Sequence, residues 1–362
     1  MSKIVSIKEL LSGVEVEWKK LGEIVQIVTA PTKLKKANYC ITGKIPIIDQ
    51  GIEFISGYSS ENLKPVKADK YIVFGDHSEH IKYVDFSFIQ GADGLKILRP
   101  LSDNAKYIYY SFINFYQKEL SYKRHWTNAK ETLIPIPPLH IQSKIVQILD
   151  NFTELTAELT AELTARKKQY SYYRDKLLSF GGDVEFKILK EVIKLKRGKR
   201  LVKSQLEITG KYAVYQNSMT PLGFYHENNV EANTTFIISA GAAGEIGYSS
   251  VDFWAADDIY FLQVPDNIEN KFIYYFLLTQ KYKISSQVRR ASIPRLSKTV
   301  VEKLKIPLPP LKEQKRIVNI LDKFDTLTNS ISEGLPKEIK LRQQQYEYYR
   351  DLLLTFPKED KA

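Results

Sequence analysis

One short cluster of polar residues has the composition of a metal site. Asp76, His77, Glu79 and His80 lie within five consecutive positions and offer oxygen and nitrogen ligands. Two histidines three residues apart, with no further partner in the sequence, are a weak pattern for zinc. We therefore predict a polar loop that faces solvent or DNA at this position, and no metal site.

A glycine-rich stretch and an acid–lysine pair are two further candidates for chemistry. The stretch from Gly241 to Gly247 follows a predicted strand, but it lacks the G-x-G-x-x-G order and a strand is predicted after it. It therefore indicates a tight turn, whose glycines would still let the backbone approach DNA phosphates. Asp93 and Lys96 resemble part of a nuclease carboxylate–lysine set, but nothing upstream completes the set, which favours a turn at a strand end.

Motifs for ATP hydrolysis and amino-methyl transfer are absent from the sequence. There is no G-x-x-x-x-G-K-[ST] phosphate loop and no N/D-P-P-Y/F motif. The paired prolines Pro137-Pro138 and Pro309-Pro310 precede predicted helices instead, where proline fits the first turn. We therefore expect that this chain alone is not an enzyme.

Two basic clusters are the strongest candidates for contact with DNA, because arginine binds guanine, asparagine binds adenine and lysine binds phosphate. They occupy the same place in the two halves of the sequence, just before a predicted long helix. Weaker candidates lie at the ends of two predicted strands. The cluster residues are Lys123, Arg124, His125, Asn128 and Lys130 in the first half and Arg289, Arg290, Ser292, Arg295 and Lys298 in the second, and the strand-end residues are Gln50, Gln216 and Asn217. The alternative for each cluster is a solvated basic loop.

The composition of the chain is compatible with binding to DNA. The 362 residues have a formal net charge of +11, which suits a polyanion without proving one. The single Cys40 excludes an internal disulfide and fits a reducing cytoplasm, and no apolar run approaches the length of a membrane span. We expect a cytoplasmic protein that does not contact a membrane.

The elements that position these clusters are two copies of one long segment. Ile134 to Phe152 and Ile306 to Phe324 share the pattern PPLxxQxxIVxILDxF at an offset of 172. Tyr170 to Phe180 and Tyr346 to Phe356 share YxYYRDxLLxF at an offset of 176, so the second copy has four additional residues in between. A partial third copy near Leu10 to Trp18 resembles the stretch that ends at Phe186, and a short helix is predicted from Lys3 to Leu11.

The apolar residues of this segment recur at three- and four-residue steps and predict a long amphipathic helix from Leu139 to Phe180. Gly334 and Pro336 should break the second copy into two helices. We expect one apolar stripe to pack the helices together. Its residues are Leu149, Phe152, Leu155, Leu159, Leu163, Tyr170, Tyr173, Leu321, Phe324, Tyr346 and Tyr349.

A smaller repeat lies inside the first helix, where Thr-Ala-Glu-Leu occurs at Thr156 and again at Thr160. Each four-residue unit adds about 6 Å of helix and about 40° of rotation beyond a full turn. One base pair of DNA advances about 3.4 Å and turns roughly 35°. The rotation of one unit nearly matches that of one base pair, whereas the rise does not, and a helix that runs obliquely to the DNA would reconcile the two. On this basis we predict that the repeat acts as an adjustable ruler.

These motifs identify a family resemblance. PPLxxQxxIVxILDxF, the Thr-Ala-Glu-Leu units and QYxYYRDxLLxF resemble the specificity subunit of type I restriction-modification systems, in particular the type IC branch, over the whole chain. The resemblance implies a DNA-binding subunit that reads a bipartite, asymmetric target on double-stranded DNA. It also implies two modification subunits as partners, which use S-adenosylmethionine and would dock on the stripe residues of these helices. Restriction subunits that use ATP and Mg²⁺ are implied as further partners.

The fold class that follows is α+β, with two similar mixed α/β target-recognition domains separated by two long antiparallel, coiled-coil-like spacer helices in a pseudo-twofold circular arrangement. Strands are predicted at the β-rich runs of each domain, and aromatic helices from Ala105 to Tyr116 and from Lys271 to Lys283. The predicted boundaries are an N-terminal segment at 1–17, recognition domains at 18–138 and 182–310, spacer helices at 139–181 and 311–356, and a tail at 357–362.

Two other functions remain open from the residues. The chain could be the recognition subunit of another bipartite methylation or restriction system, or a structural coiled-coil scaffold without a role in DNA binding. Loops that would contact DNA are predicted at 51–67 and 217–233, between strands.

Overall fold

The computed structural model describes residue 7 and residues 9–91, 93–330 and 332–356. The tail at 357–362 and most of the predicted helix from Lys3 to Leu11 lie outside these ranges. The chain divides into two compact units, one formed by Met1–Glu158 with Ile339–Ala362 and the other by Leu159–Glu338. We call them unit 1 and unit 2; the domain boundaries drawn from the sequence stay a prediction.

Unit 1 is built mainly from short strands with one aromatic helix. β-branched and aromatic residues in short runs, separated by turn residues, account for the strands. The strands are β1 (Glu17–Lys20), β2 (Val25–Val28), β3 (Lys33–Leu34), β4 (Ile45–Ile48), β5 (Gly57–Ser59), β6 (Tyr71–Gly75), β7 (Ile81–Val84), β8 (Ile89–Gly91), β9 (Leu95–Pro100) and β10 (Leu133–Ile136). The helices are α1 (Leu21–Ile24), α2 (Ala105–Phe115) and α3 (Trp126–Ala129), with a 3-10 turn at Lys36–Asn38.

Three sheets organise these strands. β2, β9, β6 and β7 form an antiparallel sheet in which Val73 pairs with both Ile97 and Lys82. β3, β8, β4 and β5 form a mixed sheet, and β1 pairs with β10 so that Trp18 lies opposite Pro135. Helix α2 packs on the antiparallel sheet, where Phe74 and Phe112 lie 5.6 Å apart between ring centroids. This contact lies in the core of unit 1.

Unit 2 repeats this arrangement. Its strands are β11 (Phe186–Ile188), β12 (Lys194–Arg197), β13 (Tyr212–Tyr215), β14 (Gly223–Tyr225), β15 (Thr234–Ile238), β16 (Ile246–Ser249), β17 (Phe253–Ala255), β18 (Ile259–Gln263) and β19 (Lys305–Pro307). Its helices are α5 (Leu189–Val192), α6 (Asn270–Thr279), α7 (Lys281–Ser285), α8 (Lys298–Glu302) and α9 (Leu311–Asn329), with a 3-10 turn at Lys203–Gln205. The sheets are β12-β18-β15-β16, β14-β13-β17 and the pair β11-β19.

The predicted long helix is α4 (Leu139–Leu177), 39 residues that begin in unit 1 and end in unit 2. It starts directly after Pro138, as the sequence predicts. The second copy is broken as predicted, because α9 ends at Asn329 and α10 (Gly334–Leu354) begins at a glycine with φ of +71°. Mixed helix and strand content in both units confirms the α+β class.

Of three kinds of local prediction, two need correction and one is confirmed. The helix predicted from Lys271 to Lys283 is two helices, α6 and α7, because the chain turns at Gln280. The predicted loops 51–67 and 217–233 are not free of strands, since β5 and β14 lie within them and pair with β4 and β13. The glycine-rich stretch is a turn between β15 and β16, as predicted.

Candidate nucleic-acid interface

The basic cluster of unit 1 lies in the segment between α2 and β10. Its side chains differ in whether they already have a partner within the unit. Lys123 forms an ion pair with Glu119, and Asn128 donates a hydrogen bond to the same carboxylate. Arg124 is exposed and forms no ion pair or hydrogen bond with the described residues. Lys130 lies 4.0 Å from Glu131. Arg124 is therefore the cation of this cluster that is most available to a phosphate or a base.

His125 is not available for DNA contact, which corrects the sequence prediction. Its side chain is 0% exposed, and its Nε2 lies 2.7 Å from the carbonyl oxygen of Ser121. Its Nδ1 lies 3.4 Å from Oε1 of Glu79. The imidazole therefore fills the space beneath the basic loop and cannot reach a ligand outside the unit.

The residues that looked like metal ligands hold this basic loop in place. Glu79, 2% exposed, accepts hydrogen bonds from the hydroxyl of Tyr116 at 2.6 Å and from the backbone N–H groups of Glu119 and Leu120 at 2.8 Å each. Asp76 accepts one from the N–H of Trp126 at 2.8 Å. In the described ranges no group of three or more histidine, cysteine, aspartate or glutamate side chains could hold a metal ion.

The charge of Glu79 is stabilised by these donors. Burial alone would raise its pKa, but the hydrogen bonds from Tyr116, Glu119 and Leu120 and the nearby His125 outweigh burial and hold the pKa below its usual 4.5. Glu79 also adopts a left-handed backbone conformation, with φ of +56°, which is unfavourable for a residue with a Cβ. The three hydrogen bonds to the carboxylate of Glu79 order the loop, and their stabilisation offsets the cost of the strained backbone conformation.

We predict that Glu79→Gln destabilises unit 1 by about 1–3 kcal/mol, because an amide N–H₂ would face a buried N–H donor and leave it without an acceptor. A thermal unfolding measurement checks this, with Glu158→Gln, exposed on α4, as the control that should leave the melting temperature unchanged. Because the folded-state pKa of Glu79 is below its unfolded value, its contribution is present above about pH 4.5 and is lost on acidification. The variant should therefore lose less stability than the wild type between neutral and acidic pH. An equal acid sensitivity of the two proteins would contradict the role assigned to this carboxylate.

The basic cluster of unit 2 is a small hairpin with its polar residues at the tip. Backbone hydrogen bonds of 2.9 and 3.0 Å join Arg289 and Arg295 in both directions. Arg290 and Ser292 are exposed between them, and neither side chain forms a hydrogen bond or ion pair with the described part of the chain. Lys298 instead pairs with Glu302 at 2.9 Å. Arg290, at the tip, is the arginine of this cluster that we compare with Arg124, and the flanking Arg289 and Arg295 are exposed as well.

Both basic segments are attached to the turn of an equivalent hairpin. In unit 1 the attachment is to the turn between β6 and β7 through Asp76 and Glu79. In unit 2 it is to the turn between β15 and β16, where Gly241 donates to the carbonyl of Pro294 at 3.1 Å and Leu296 donates to the carbonyl of Ser239 at 2.8 Å. Gly241 has φ of +80°, and a Cβ there would lie 2.7 Å from the carbonyl oxygen of Asn217. Side-chain carboxylates in unit 1 and backbone groups in unit 2 thus place the two basic segments at equivalent positions in their own units.

The strand-end candidates differ in availability. The Gln50 amide accepts a hydrogen bond from the N–H of His77 at 3.2 Å and donates one to the carbonyl of Asp93 at 3.3 Å, so its orientation is fixed within unit 1. Asn217 has an exposed side chain, and its carbonyl accepts from Ala242 at 2.9 Å. Gln216 is half-buried. Asn217 is therefore the most accessible of the three.

The buried Lys82 orders the loop that contains Gln50. It is 6% exposed, and its ammonium group donates to the carbonyls of Asp49 and Glu53 at 2.8 and 2.5 Å. Burial lowers the pKa of Lys82 although the two neighbouring carboxylates oppose this. Sequence reasoning missed this lysine because nothing in the alternating strand Ile81–Val84 marks position 82 as facing inward.

Both units carry the same protruding turn, which the sequence analysis also missed. Ile-Thr-Gly-Lys occurs at 41–44 and at 208–211, following the two 3-10 turns. Ile41 is 94% exposed and Ile208 is 95% exposed. A Cβ at Gly43 would lie 2.6 Å from the carbonyl oxygen of Ser59, so the glycine is required by the close approach of β5. Because the turn is identical in the two units, it cannot account for any difference between them in what they bind.

The stripe predicted for spacer packing and subunit docking is largely occupied within the units. Leu149 and Leu321 are 0% exposed and Tyr170 is buried, so a separate subunit cannot reach them, which corrects the docking part of that prediction. In unit 1 the rings of Phe152 and Tyr349 stack at 5.1 Å. In unit 2 the ring of Tyr173 stacks on Phe324 at 5.6 Å. The remaining stripe residues, Leu155, Leu159, Leu163 and Tyr346, are half-buried.

The outward aromatic residues of these helices are one position away from the predicted ones. Tyr172 is 60% exposed and Tyr348 is 55% exposed, and they occupy equivalent places in the two copies. The three- and four-residue spacing of apolar residues predicts that a helix has a buried face. It does not determine which of two adjacent tyrosines, such as Tyr172 and Tyr173, lies on that face.

Comparison with known proteins places this arrangement in a family. The family model for the type I restriction modification DNA specificity domain matches residues 13–166 and 181–341. The specificity subunit of the Escherichia coli type I restriction enzyme EcoR124I/EcoR124II is 39% identical, over 99% of both chains. The EcoprrI specificity subunit of Escherichia coli is 28% identical, over 92% of this chain and 93% of that one.

A solved structure has the same fold. The S subunit of a type I restriction-modification system from M. genitalium superposes with a TM-score of 0.69 at 20% identity, over 96% of this chain and 98% of that one. The match extends over both units and their helices. The chain therefore belongs to the family of type I restriction-modification DNA specificity subunits.

Proposed function

We propose that the chain reads a bipartite, asymmetric DNA sequence, one half through each unit, with a fixed gap between the halves. The main support is that a basic segment attached to an equivalent hairpin turn in each unit presents an exposed arginine, Arg124 in unit 1 and Arg290 in unit 2. Neither side chain has a partner among the described residues. Arginine is the residue best suited to bind guanine or phosphate. The surrounding residues differ between the units, which suits two different half-sites.

The helices α4, α9 and α10 would form the spacer between the two recognition domains, in the antiparallel, pseudo-twofold circular arrangement that the duplicated sequence implies. Two modification subunits would dock on them and supply S-adenosylmethionine-dependent methyl transfer. Restriction subunits would join and supply ATP- and Mg²⁺-dependent translocation and cleavage. In this proposal the chain contributes specificity and no catalysis, and it acts in the cytoplasm as a member of the type IC branch.

In the described ranges no helix is both long enough and apolar enough to cross a lipid bilayer. The recognition subunit of another bipartite methylation system would share every feature described above. The identity to restriction enzyme specificity subunits favours the first function. The exposed arginines at equivalent positions argue against a structural scaffold without DNA binding, because such a scaffold does not have to bind a polyanion.

We predict that the purified chain alone does not methylate DNA, because it lacks the motifs for methyl transfer, and that methylation appears when a modification subunit is added. Sequencing of methylated bases in cells with and without this chain gives the motif directly. The expected result is one split motif with a constant gap that disappears when the chain is deleted. Stoichiometric methyl transfer by the chain alone, or a motif without a gap, would refute the proposal. Footprinting of the assembled complex separates DNA binding from a purely structural role.

A further inference from the structure

A charged and hydrogen-bonded contact joins α2 to α4 in unit 1. The ammonium group of Lys106 lies 2.7 Å from Oδ2 of Asp150, and the hydroxyl of Tyr110 donates to Oδ1 of the same carboxylate at 2.7 Å. Lys106 and Tyr110 are four residues apart on α2 and therefore lie on the same face of the helix. One carboxylate on the spacer helix thus binds two side chains of the recognition unit.

The same contact occurs in unit 2. The ammonium group of Lys271 lies 2.8 Å from Oδ1 of Asp322, and the hydroxyl of Tyr275 donates to that oxygen at 2.6 Å. Lys271 and Tyr275 lie on α6, the counterpart of α2, and Asp322 lies on α9. In both units the tyrosine and the aspartate that it contacts are 40 or more positions apart in the sequence.

A buried glutamine makes a second contact at the start of each spacer helix. Gln142, 1% exposed, accepts from the N–H of Asn104, the cap residue of α2, at 2.9 Å. Gln314, 2% exposed, accepts from the N–H of Glu269, the cap residue of α6, at 2.8 Å. The amide nitrogens donate to the carbonyls of Pro137 and Pro309, both at 2.8 Å, which fixes the two glutamines in the same orientation.

Two points of attachment define an angle as well as a distance. Gln142 and Asp150 are eight residues apart, which places them about 12 Å apart along α4. Apolar packing is not directional, whereas hydrogen bonds depend on distance and angle. The glutamine and aspartate together therefore hold each recognition helix at a defined orientation on its spacer helix. We call this set of lysine, tyrosine, glutamine and aspartate the joint.

We propose that Asp150 and Asp322 are positioning residues that fix each recognition domain on its spacer helix and so set the gap between the two half-sites, not the bases that are read. This inference rests on the proposed function. The joint residues do not belong to the basic clusters, yet they are identical in two units whose recognition loops differ. A device that serves both half-sites equally must act on something that the half-sites share, and the gap is such a property.

The test is the methylated motif of cells in which the assembled complex contains Asp150→Asn. The amide keeps the shape of the side chain and removes the charge that pairs with Lys106. We expect both half-sites to keep their bases, while methylation at sites with a gap one base pair longer or shorter rises severalfold above the wild-type level. Asp322→Asn should give the same result. Asp175→Asn is the matched control, since Asp175 lies exposed on the same helix and pairs only with the adjacent Arg174 among the described residues.

A second pair of variants keeps the inference testable if either Asp→Asn protein fails to assemble. Tyr110→Phe and Tyr275→Phe each remove one hydroxyl and retain the buried ring. They should relax the gap to a smaller extent. A wild-type gap retained by all assembled joint variants, or a change of bases at constant gap, would overturn the inference while leaving the proposed function intact. A wild-type motif without a fixed gap would instead refute the proposed function.

Discussion

One additional Thr-Ala-Glu-Leu unit inserted after Leu163 is expected to lengthen the gap of the methylated motif by one base pair and leave both half-sites unchanged. Four residues add about 6 Å and turn the helix by about 40° beyond a full turn, so the stripe of Leu155, Leu159 and Leu163 continues on nearly the same face. Alanine, leucine and glutamate are strong helix formers, so α4 should remain helical. The added rotation is close to the roughly 35° of one base-pair step, which is why one base pair is expected.

An insertion of two residues at the same place should abolish activity. It turns everything after it by about 200° relative to the residues before it, so Leu155 and Leu159 would lie on one side of the helix and Tyr170 and Tyr173 on the other, and the apolar stripe would be interrupted. The measurement for both insertions is the methylated motif in cells, together with recovery of the assembled complex. Thr160→Ala keeps the length of the helix and serves as the control with an unchanged gap. A four-residue insertion that leaves the gap unchanged would show that the repeat is ordinary helix.

The duplicated helices were predictable because their signals are local. Prolines at 137–138 and 309–310, the absence of glycine and proline within 139–177, and Gly334 with Pro336 in the second copy determine where the helices begin and end. The short β-rich runs 71–74 and 236–238 likewise predict strands, and the structure has them as Tyr71–Gly75 and Thr234–Ile238. These patterns depend on residues that are at most a few turns apart, which a single sequence displays directly.

The candidate DNA-binding loop of unit 1 was less predictable, because its conformation depends on contacts between residues that are far apart in the sequence. The sequence predicts that Asp76 and Glu79 lie in a polar loop that faces solvent or DNA, which is wrong because both are buried. They accept hydrogen bonds from backbone groups of residues 119, 120 and 126, some 40 to 50 positions away. His125 resembled a DNA ligand because it stands beside Arg124, but its ring packs beneath the loop. Neither fact has a local signal, since burial of a polar side chain is decided by the fold around it.

The joint illustrates an intermediate case. The repeats of lysine, tyrosine, glutamine and aspartate are visible in the sequence, and their pairing is not, because α2 and α4 are separate segments. The repetition shows that these residues serve both units, and only the structure shows that Lys106 and Tyr110 meet Asp150.

Combined replacement of Arg124 and Arg290 by alanine is expected to weaken binding of the target duplex by about 2–6 kcal/mol, because an arginine that reads a base contributes about 1–3 kcal/mol and effects in separate units add. If an arginine contacts phosphate instead, its loss should weaken binding to all sequences equally and lower the salt slope by about one. The measurement is the affinity of the assembled complex for target and scrambled duplexes at several salt concentrations.

Each single variant separates the two half-sites in the same experiment. Arg124→Ala should relax specificity in one half and Arg290→Ala in the other, because the two residues lie in different units. Arg316→Ala is the control, since it removes an equal charge from α9, where Arg316 pairs with Glu313 at 2.7 Å. If the double variant binds with unchanged affinity and unchanged salt dependence, the two basic segments are solvated surface loops and the bases must be read by other residues, of which the exposed Asn217 is the first to test.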